Sequence, residues 1–243
     1  MAVSVGWASE VCLGRDERRL LAGFGRVVCA TWREPDSGIW EVPGGRRHYV
    51  HSKLMCWSAL DILLRLHAAG HLRVPEALSA ASATPCARRS SRKASAPGQT
   101  GGSYVGAFGE DWADASLLVM ARLGYGSPLD PRIVATADRI WRELGRDGLL
   151  LRYRPEVDGI GSREGAFGIC AFWAVELLAM QGRLDEAEAL FCRAASLAND
   201  VGLLAEEYDP RTGAALGNVP HAFTHAGLIS AALALSRPKG SAS

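Results

Sequence analysis

The sequence has no strong excess of one charge. Its 243 residues carry 27 Lys and Arg against 26 Asp and Glu, a formal net charge of +1. A near-neutral chain gives no global electrostatic case for a nucleic acid or an acidic membrane surface. It has no apolar run of about 18 residues, so no membrane span is expected. Met1 to Arg15 lack the basic start, apolar middle and small-residue cleavage site of a secretion signal. No CxxC pair occurs among Cys12, Cys29, Cys56, Cys86, Cys170 and Cys192, which argues against a zinc ribbon or a thioredoxin-type site. These absences point to a soluble, cytoplasmic protein. Cys56, Cys170 and Cys192 sit in apolar helical patterns and are expected as buried free thiols. No GxSxG elbow is present, and Gly159-Ile-Gly161-Ser-Arg-Glu164 fails the dinucleotide pattern at its last position. No cofactor is expected.

What is present is helical periodicity. Hydrophobic residues make up 48% of the chain, enough for a buried core. Leu20, Leu21, Phe24, Val27 and Val28 fit one helical face between Asp16 and Thr31. Leu54, Trp57, Leu60, Ile62 and Leu64 mark a helix from about Ser52 to Ala69. Leu117, Leu118 and Met120 suggest a short helix. Ile133, Ala137, Ile140, Trp141 and Leu144 suggest another, with Pro131 in its first turn. Ala166 to Met180 is apolar almost all round and is expected to be buried on most sides. An amphipathic helix follows from Leu184 to Leu197, and a last one from about Pro220 to Ser236. No alternating run demands a sheet. The loops Thr31–His51 and Ala198–Pro220 are long and rich in special residues, as functional connections often are.

One segment breaks the pattern. Between Ala77 and Gly102, 19 of 26 residues are Ala, Ser, Thr, Pro or Gly, with four basic residues and no acid. That composition predicts a disordered insert. Arg88 to Lys93 have no interleaved aromatics, so a solvated stretch is expected in preference to a nucleic-acid patch.

Two loops hold candidate chemistry. In Trp32-Arg-Glu-Pro-Asp-Ser-Gly-Ile-Trp40-Glu41-Val-Pro-Gly-Gly a carboxylate follows a tryptophan, and an aromatic neighbour can desolvate a carboxyl group as a general acid requires. In Gly202-Leu-Leu-Ala-Glu206-Glu207-Tyr-Asp-Pro-Arg-Thr-Gly the Asp209–Gly213 turn signature would project the preceding acids from a fixed loop. Glycoside hydrolysis needs two carboxyl groups facing one bond, and only the fold could bring Glu41 and Glu206 together. His221-Ala-Phe-Thr-His225 has the i, i+4 spacing of a helical metal pair. It lacks the Glu of HExxH and a third ligand, so no metal is expected. Gly182-Arg-Leu-Asp-Glu-Ala-Glu-Ala-Leu-Phe resembles a tetratricopeptide helix start. The alternative of an α-helical repeat module for protein binding would need recurrence near 34 residues, and no second copy occurs.

Several stretches together resemble glycoside hydrolase family 15, the glucoamylase and bacterial trehalase-like enzymes. They are Trp32 to Val42, His48-Tyr-Val-His-Ser-Lys-Leu-Met-Cys-Trp, Asp114-Ala-Ser-Leu-Leu, Leu151-Arg-Tyr-Arg, Glu164-Gly-Ala-Phe, Phe172-Trp, Gly182-Arg-Leu-Asp-Glu-Ala, Ala198 to Pro210 and Leu216-Gly-Asn. They occur in family order over about Thr31 to Leu235.

The resemblance implies an all-α (α/α)6 toroid, a six-hairpin glycosidase fold. It implies inverting hydrolysis of a terminal α-glucosidic bond, with an α-glucoside or oligosaccharide as substrate. Glu41 matches the general acid and Glu206 the general base. Trp40 flanks the sugar pocket, and Arg152 and Tyr153 resemble the Arg-Tyr loop that holds glucose hydroxyls, Arg154 being an equally near candidate. Lys53, Glu164 and Glu207 are further candidate substrate contacts.

Three departures stand out. Val42 replaces the second Glu that fungal members carry after the acid. The Ala77–Gly102 segment replaces a barrel helix, an abrupt change that predicts a local shift of reading frame. About seven helices of the twelve of a closed barrel are legible. Residues 1–238 therefore read as the C-terminal portion of a catalytic domain, with 239–243 as a tail. An incomplete barrel should expose apolar surface and self-associate, and the chain alone is expected to be weakly active or inactive.

Overall fold

Helix starts are written locally. Pro131 occupies the first helical position, and the Asp130 carboxylate caps the same end by accepting the Arg132 N–H at 2.8 Å. Asp185 and Glu186 sit in the first turn of the following amphipathic helix, where a helix favours negative charge. The computed structural model describes residues 13–74, 102–157 and 164–236. Of the Ala77–Gly102 segment and the 239–243 tail, only residue 102 falls within them.

Six α-helices are formed among the described residues. They are α1 (Arg15–Thr31), α2 (Val50–Ala68), α3 (Pro131–Leu144), α4 (Gly168–Met180), α5 (Leu184–Ala195) and α6 (Ala222–Leu235). The seventh expected helix is a single 3-10 segment, Ala115–Val119, capped by Asp114. Ala166 and Phe167 are not the start of α4 but a two-residue strand.

Short strands fill the turns between helices. β1 (Gly145–Arg146) and β2 (Leu149–Leu150) make a hairpin through Asp147 and Gly148, both at positive φ. β3 (Ala166–Phe167), β4 (Glu207–Tyr208) and β5 (Ala215–Leu216) form an antiparallel sheet with Phe167 opposite Glu207. Two-residue strands leave no alternation to read, which is why periodicity gave no hint of them.

α4 is the core of the molecule. Every residue from Gly168 to Leu178 is buried, as its all-round apolar sequence predicts. α5 and α6 pack along it, with the 3-10 segment beside it. α6 approaches closely because it presents Thr224, Gly227 and Ala231. A Cβ on Gly227 would lie 3.0 Å from Ile169 and 3.2 Å from Phe172 Cβ.

The chain's two outer helices are left half-dressed. On α1, Leu21 and Val28 pack into a small second core with Leu60, Leu63 and Leu72. Leu20, Phe24 and Val27 from the same stripe are each more than half exposed, at 57%, 56% and 60%. On α6, Ile229 and Leu233 are likewise exposed on the face away from α4. The cysteine expectation holds for Cys170; Cys56 is only half-buried and Cys192 is exposed, because it lies on the outer side of amphipathic α5. No described helix is long and apolar enough to cross a membrane.

Candidate active site

The Thr31–His51 loop is fixed by the Asp36 carboxylate, which accepts the Gly38 N–H at 2.7 Å and the Ser52 hydroxyl at 2.6 Å. Lys53 Nζ donates to the Glu34 carbonyl and meets Asp36 at 3.3 Å. Lys53 is buried, so its ammonium braces this loop. An open cavity of about 640 Å³ lies against the loop, lined by residues including Trp32, Asp36, Arg46, His51 and Lys53. Its lining includes neither Glu41 nor Glu206.

The same loop carries Trp40 and Glu41. The Trp40 indole is buried and its N–H donates to Asp114 Oδ1 at 2.8 Å. Asp114 is buried as well, and its Oδ1 also accepts the Ser116 N–H and hydroxyl at 2.8 and 2.7 Å. Burial pushes the Asp114 carboxyl up, against these hydrogen bonds. Glu41 itself is exposed and held at φ 50°. That left-handed conformation costs a non-glycine residue about 1–2 kcal/mol. The desolvation expected from Trp40 is therefore not supplied here, because the indole is occupied in the interior.

Trp40 opens onto a wall of aromatic and charged groups. It meets Phe167 edge-on at 5.1 Å and Trp173 at 6.1 Å. The Arg152 guanidinium lies 5.6 Å from the Phe167 ring and 6.0 Å from Trp40. It forms a two-pronged ion pair with Glu164, with Nε donating to Oε2 at 3.0 Å. Tyr153 is buried beneath it, edge-on to Trp112, so its ring supports the wall from behind.

Adjacent acids face different partners here. Glu207 lies on β4 and accepts the Gly165 N–H at 3.1 Å. Burial raises its carboxyl above the usual range, opposed by that hydrogen bond and by the Arg152 charge. Glu206 turns to the other side. Its Oε2 accepts the Asn218 N–H at 3.1 Å and side-chain N–H at 2.7 Å, and its Oε1 stands 4.0 Å from His221 Nε2. Its main chain is pinned too, donating to the Asn218 carbonyl and accepting the Gly168 N–H at the start of α4.

The turn at Asp209–Gly213 closes the β4–β5 hairpin, with Asp209 Oδ1 accepting the Arg211 and Thr212 N–H groups. His225 accepts the Leu204 N–H at 3.0 Å, so the second histidine of the pair ties down the loop. No group of three ligands fit for a metal occurs among the described residues.

Trp40, Arg152, Glu164 and Glu207 are thus gathered on one wall, and Glu206 joins it through His221, whose ring lies 6.0 Å from Phe167. Lys53 is engaged in its loop instead. Asp114, Phe167 and Asn218 were not singled out as site residues, though all three fall inside stretches that resemble the family, and the His221–His225 spacing pointed to packing or sugar contact near the last helix rather than to metal.

Comparisons with known proteins identify the family and the fold. The family model of glycosyl hydrolases family 15 matches residues 20–233. The chain belongs to glycosyl hydrolases family 15. A trehalase of Mycolicibacterium smegmatis is 41% identical over 216 residues, covering 85% of this chain and 31% of the trehalase. A trehalase of Thermoplasma acidophilum is 37% identical over 198 residues, covering 82% of this chain and 34% of that one. The family 15 chain described here thus spans about a third of the length of these relatives.

Solved structures show the same fold. A glycosidase variant in complex with glucose matches with a TM-score of 0.66 at 19% identity, over 86% of this chain and 57% of that one. The glucoamylase of Hormoconis resinae matches with a TM-score of 0.67 at 12% identity, over 88% and 47%. The all-α fold is therefore part of an (α/α)6 toroid.

Proposed function

We propose that the chain carries the catalytic-acid side and the base side of an α-glucoside-hydrolysing site. Glu41 acts as general acid and Glu206 as general base of an inverting reaction. Glu41 protonates the glycosidic oxygen as the C1–O bond breaks. Glu206 takes a proton from the water that attacks C1 from the opposite face, and β-glucose leaves. Trp40, Arg152, Glu164 and Glu207 form the sugar-facing wall, with Tyr153 behind Arg152 and Lys53 fixing the acid's loop. The observation that carries this reading is the Glu206 carboxylate. Two Asn218 N–H donors fix one oxygen, and the other stands 4.0 Å from His221 Nε2, whose ring meets Phe167 on the wall. The names of the curated relatives support trehalose as the glucoside.

Transition-state stabilisation draws on a whole pocket, so the chain by itself is weakly active or inactive. The exposed apolar rows on α1 and α6 support self-association. The test is glucose release from trehalose, maltose and isomaltose, alongside a thermal melt in saturating glucose against equal sorbitol. Slow release that Glu41→Gln and Glu206→Gln each abolish, with a glucose-specific rise in melting temperature, is expected. Turnover within the ordinary enzyme range of about 1–10³ s⁻¹ would overturn the weak-activity inference. Glucose release indifferent to Glu206→Gln, or neither release nor a glucose effect on melting, would overturn the hydrolase reading.

A further inference from the structure

Beside Glu206 stand two residues that the reaction as written does not use. His221 Nδ1 lies 2.8 Å from Thr224 Oγ1, and its Nε2 faces Glu206 Oε1 at 4.0 Å. Thr224 has no exposed surface. The His221 ring is held between Phe167 and Phe223, with centroids 6.0 and 6.3 Å away. Its backbone N–H donates to the Leu204 carbonyl at 2.9 Å, two residues before Glu206. Gly168 leaves the room this needs: a Cβ there would fall 2.8 Å from Thr224 Cγ2.

The two ring nitrogens of a neutral histidine have opposite roles, one donor and one acceptor. A carboxylate oxygen only accepts. With the proton on Nδ1, the lone pair of Nε2 would face Glu206 Oε1, acceptor against acceptor. With the proton on Nε2, the N–H faces the carboxylate and Nδ1 is free to accept. The buried Thr224 hydroxyl needs an acceptor for its own proton, and Nδ1 is at hydrogen-bond distance. Both ends of the ring therefore select the same tautomer.

We infer that Thr224 and His221 are positioning residues for Glu206, with the Thr224 hydroxyl donating to His221 Nδ1 and His221 Nε2–H aimed at Glu206 Oε1. This rests on Glu206 being the general base. At 4.0 Å the N–H steers the carboxylate by its dipole, and a small approach on sugar binding closes a direct hydrogen bond. One oxygen is then held by Asn218 and the other by His221, so the carboxylate has one orientation.

The test uses the full chain with ¹⁵N-labelled histidine. Long-range ¹H–¹⁵N correlations at neutral pH read which ring nitrogen carries the proton, and His221→Gln identifies the His221 signals by their loss. The expected result is a proton on Nε2 and an Nδ1 signal at the hydrogen-bonded position. Thr224→Val, matched in shape, should move that Nδ1 signal to the unbonded position, and Thr224→Ser should restore it. A proton on Nδ1 in the parent chain, or an Nδ1 signal unchanged by Thr224→Val, overturns the inference. Where glucose release is measurable, Thr224→Val should lower kcat at unchanged KM, and unchanged kcat also overturns it. The expected tautomer in a chain that neither binds nor cleaves glucosides retires the hydrolase reading alone.

Discussion

Removing the Asp114 carboxylate should be among the most damaging single changes in this chain. Asp114 is 1% exposed, and one of its oxygens gathers three donors: the Trp40 indole N–H and the Ser116 N–H and hydroxyl. In Asp114→Ala the buried Trp40 N–H loses its partner, which costs about 1–3 kcal/mol. Loss of the cap on the 3-10 segment adds about 1 kcal/mol. The emptied volume adds further cost, since a buried site this tight cannot fully collapse. The sum is about 3–5 kcal/mol. Asp114→Asn keeps an acceptor oxygen in the same place and should lose less than about 1.5 kcal/mol. Urea unfolding followed by far-ultraviolet circular dichroism reads both. A change in midpoint at constant slope is expected. For a chain of this size the alanine variant should melt on the order of 10 °C lower. If Asp114→Ala costs under about 1 kcal/mol, or if Asn and Ala are equally damaging, the hydrogen-bond account of Trp40 is wrong.

Other outcomes follow from the same structure. His51 is buried and its pKa is pushed down to about 4, chiefly by burial and then by the Arg122 charge. The unfolded chain takes up that proton near pH 6.5, which the folded chain refuses until about pH 4. Stability present above pH 6.5 should therefore be lost between these values, by about 3 kcal/mol, and His51→Leu should flatten that part of a stability–pH curve. Gly168→Ala should cost about 1–3 kcal/mol by driving a Cβ against Thr224 and the Ala205 carbonyl, readable by urea unfolding. Glu41→Asn should be neutral or stabilising by up to about 1 kcal/mol, since Asn tolerates positive φ, while glucose release is lost. Sedimentation velocity should show concentration-dependent association of the parent chain that Phe24→Glu weakens, because Phe24 lies mid-row on the exposed face of α1.

Much of the fold is written locally. Pro131 after Asp130 starts α3, the all-apolar run of α4 foretells its burial, and Asp209 to Gly213 spell their own turn. The candidate acids were legible because Trp40-Glu41 and Glu206-Glu207 stand in stretches that resemble the family. The surroundings of those acids were not legible. Trp40 is 74 residues from Asp114, and Phe167 pairs with Glu207 across a two-residue strand. Contacts of that separation leave no periodicity. The α1 stripe shows the limit from the other side: Leu20, Leu21, Phe24, Val27 and Val28 share one face, yet among the described residues only Leu21 and Val28 of these join the second core.

The sequence by itself determined roughly where the six α-helices lie, which helix is central, and which loops hold carboxylates, because capping, hydrophobic period and turn chemistry act within a few residues. Only the tertiary structure decided that the Trp40 indole is committed to Asp114, that Glu41 stays exposed, and that Glu206 is fixed between Asn218 and His221. Those outcomes depend on which donors and acceptors the packing of α4 and α6 brings within 3 to 4 Å, and no local rule contains that distance.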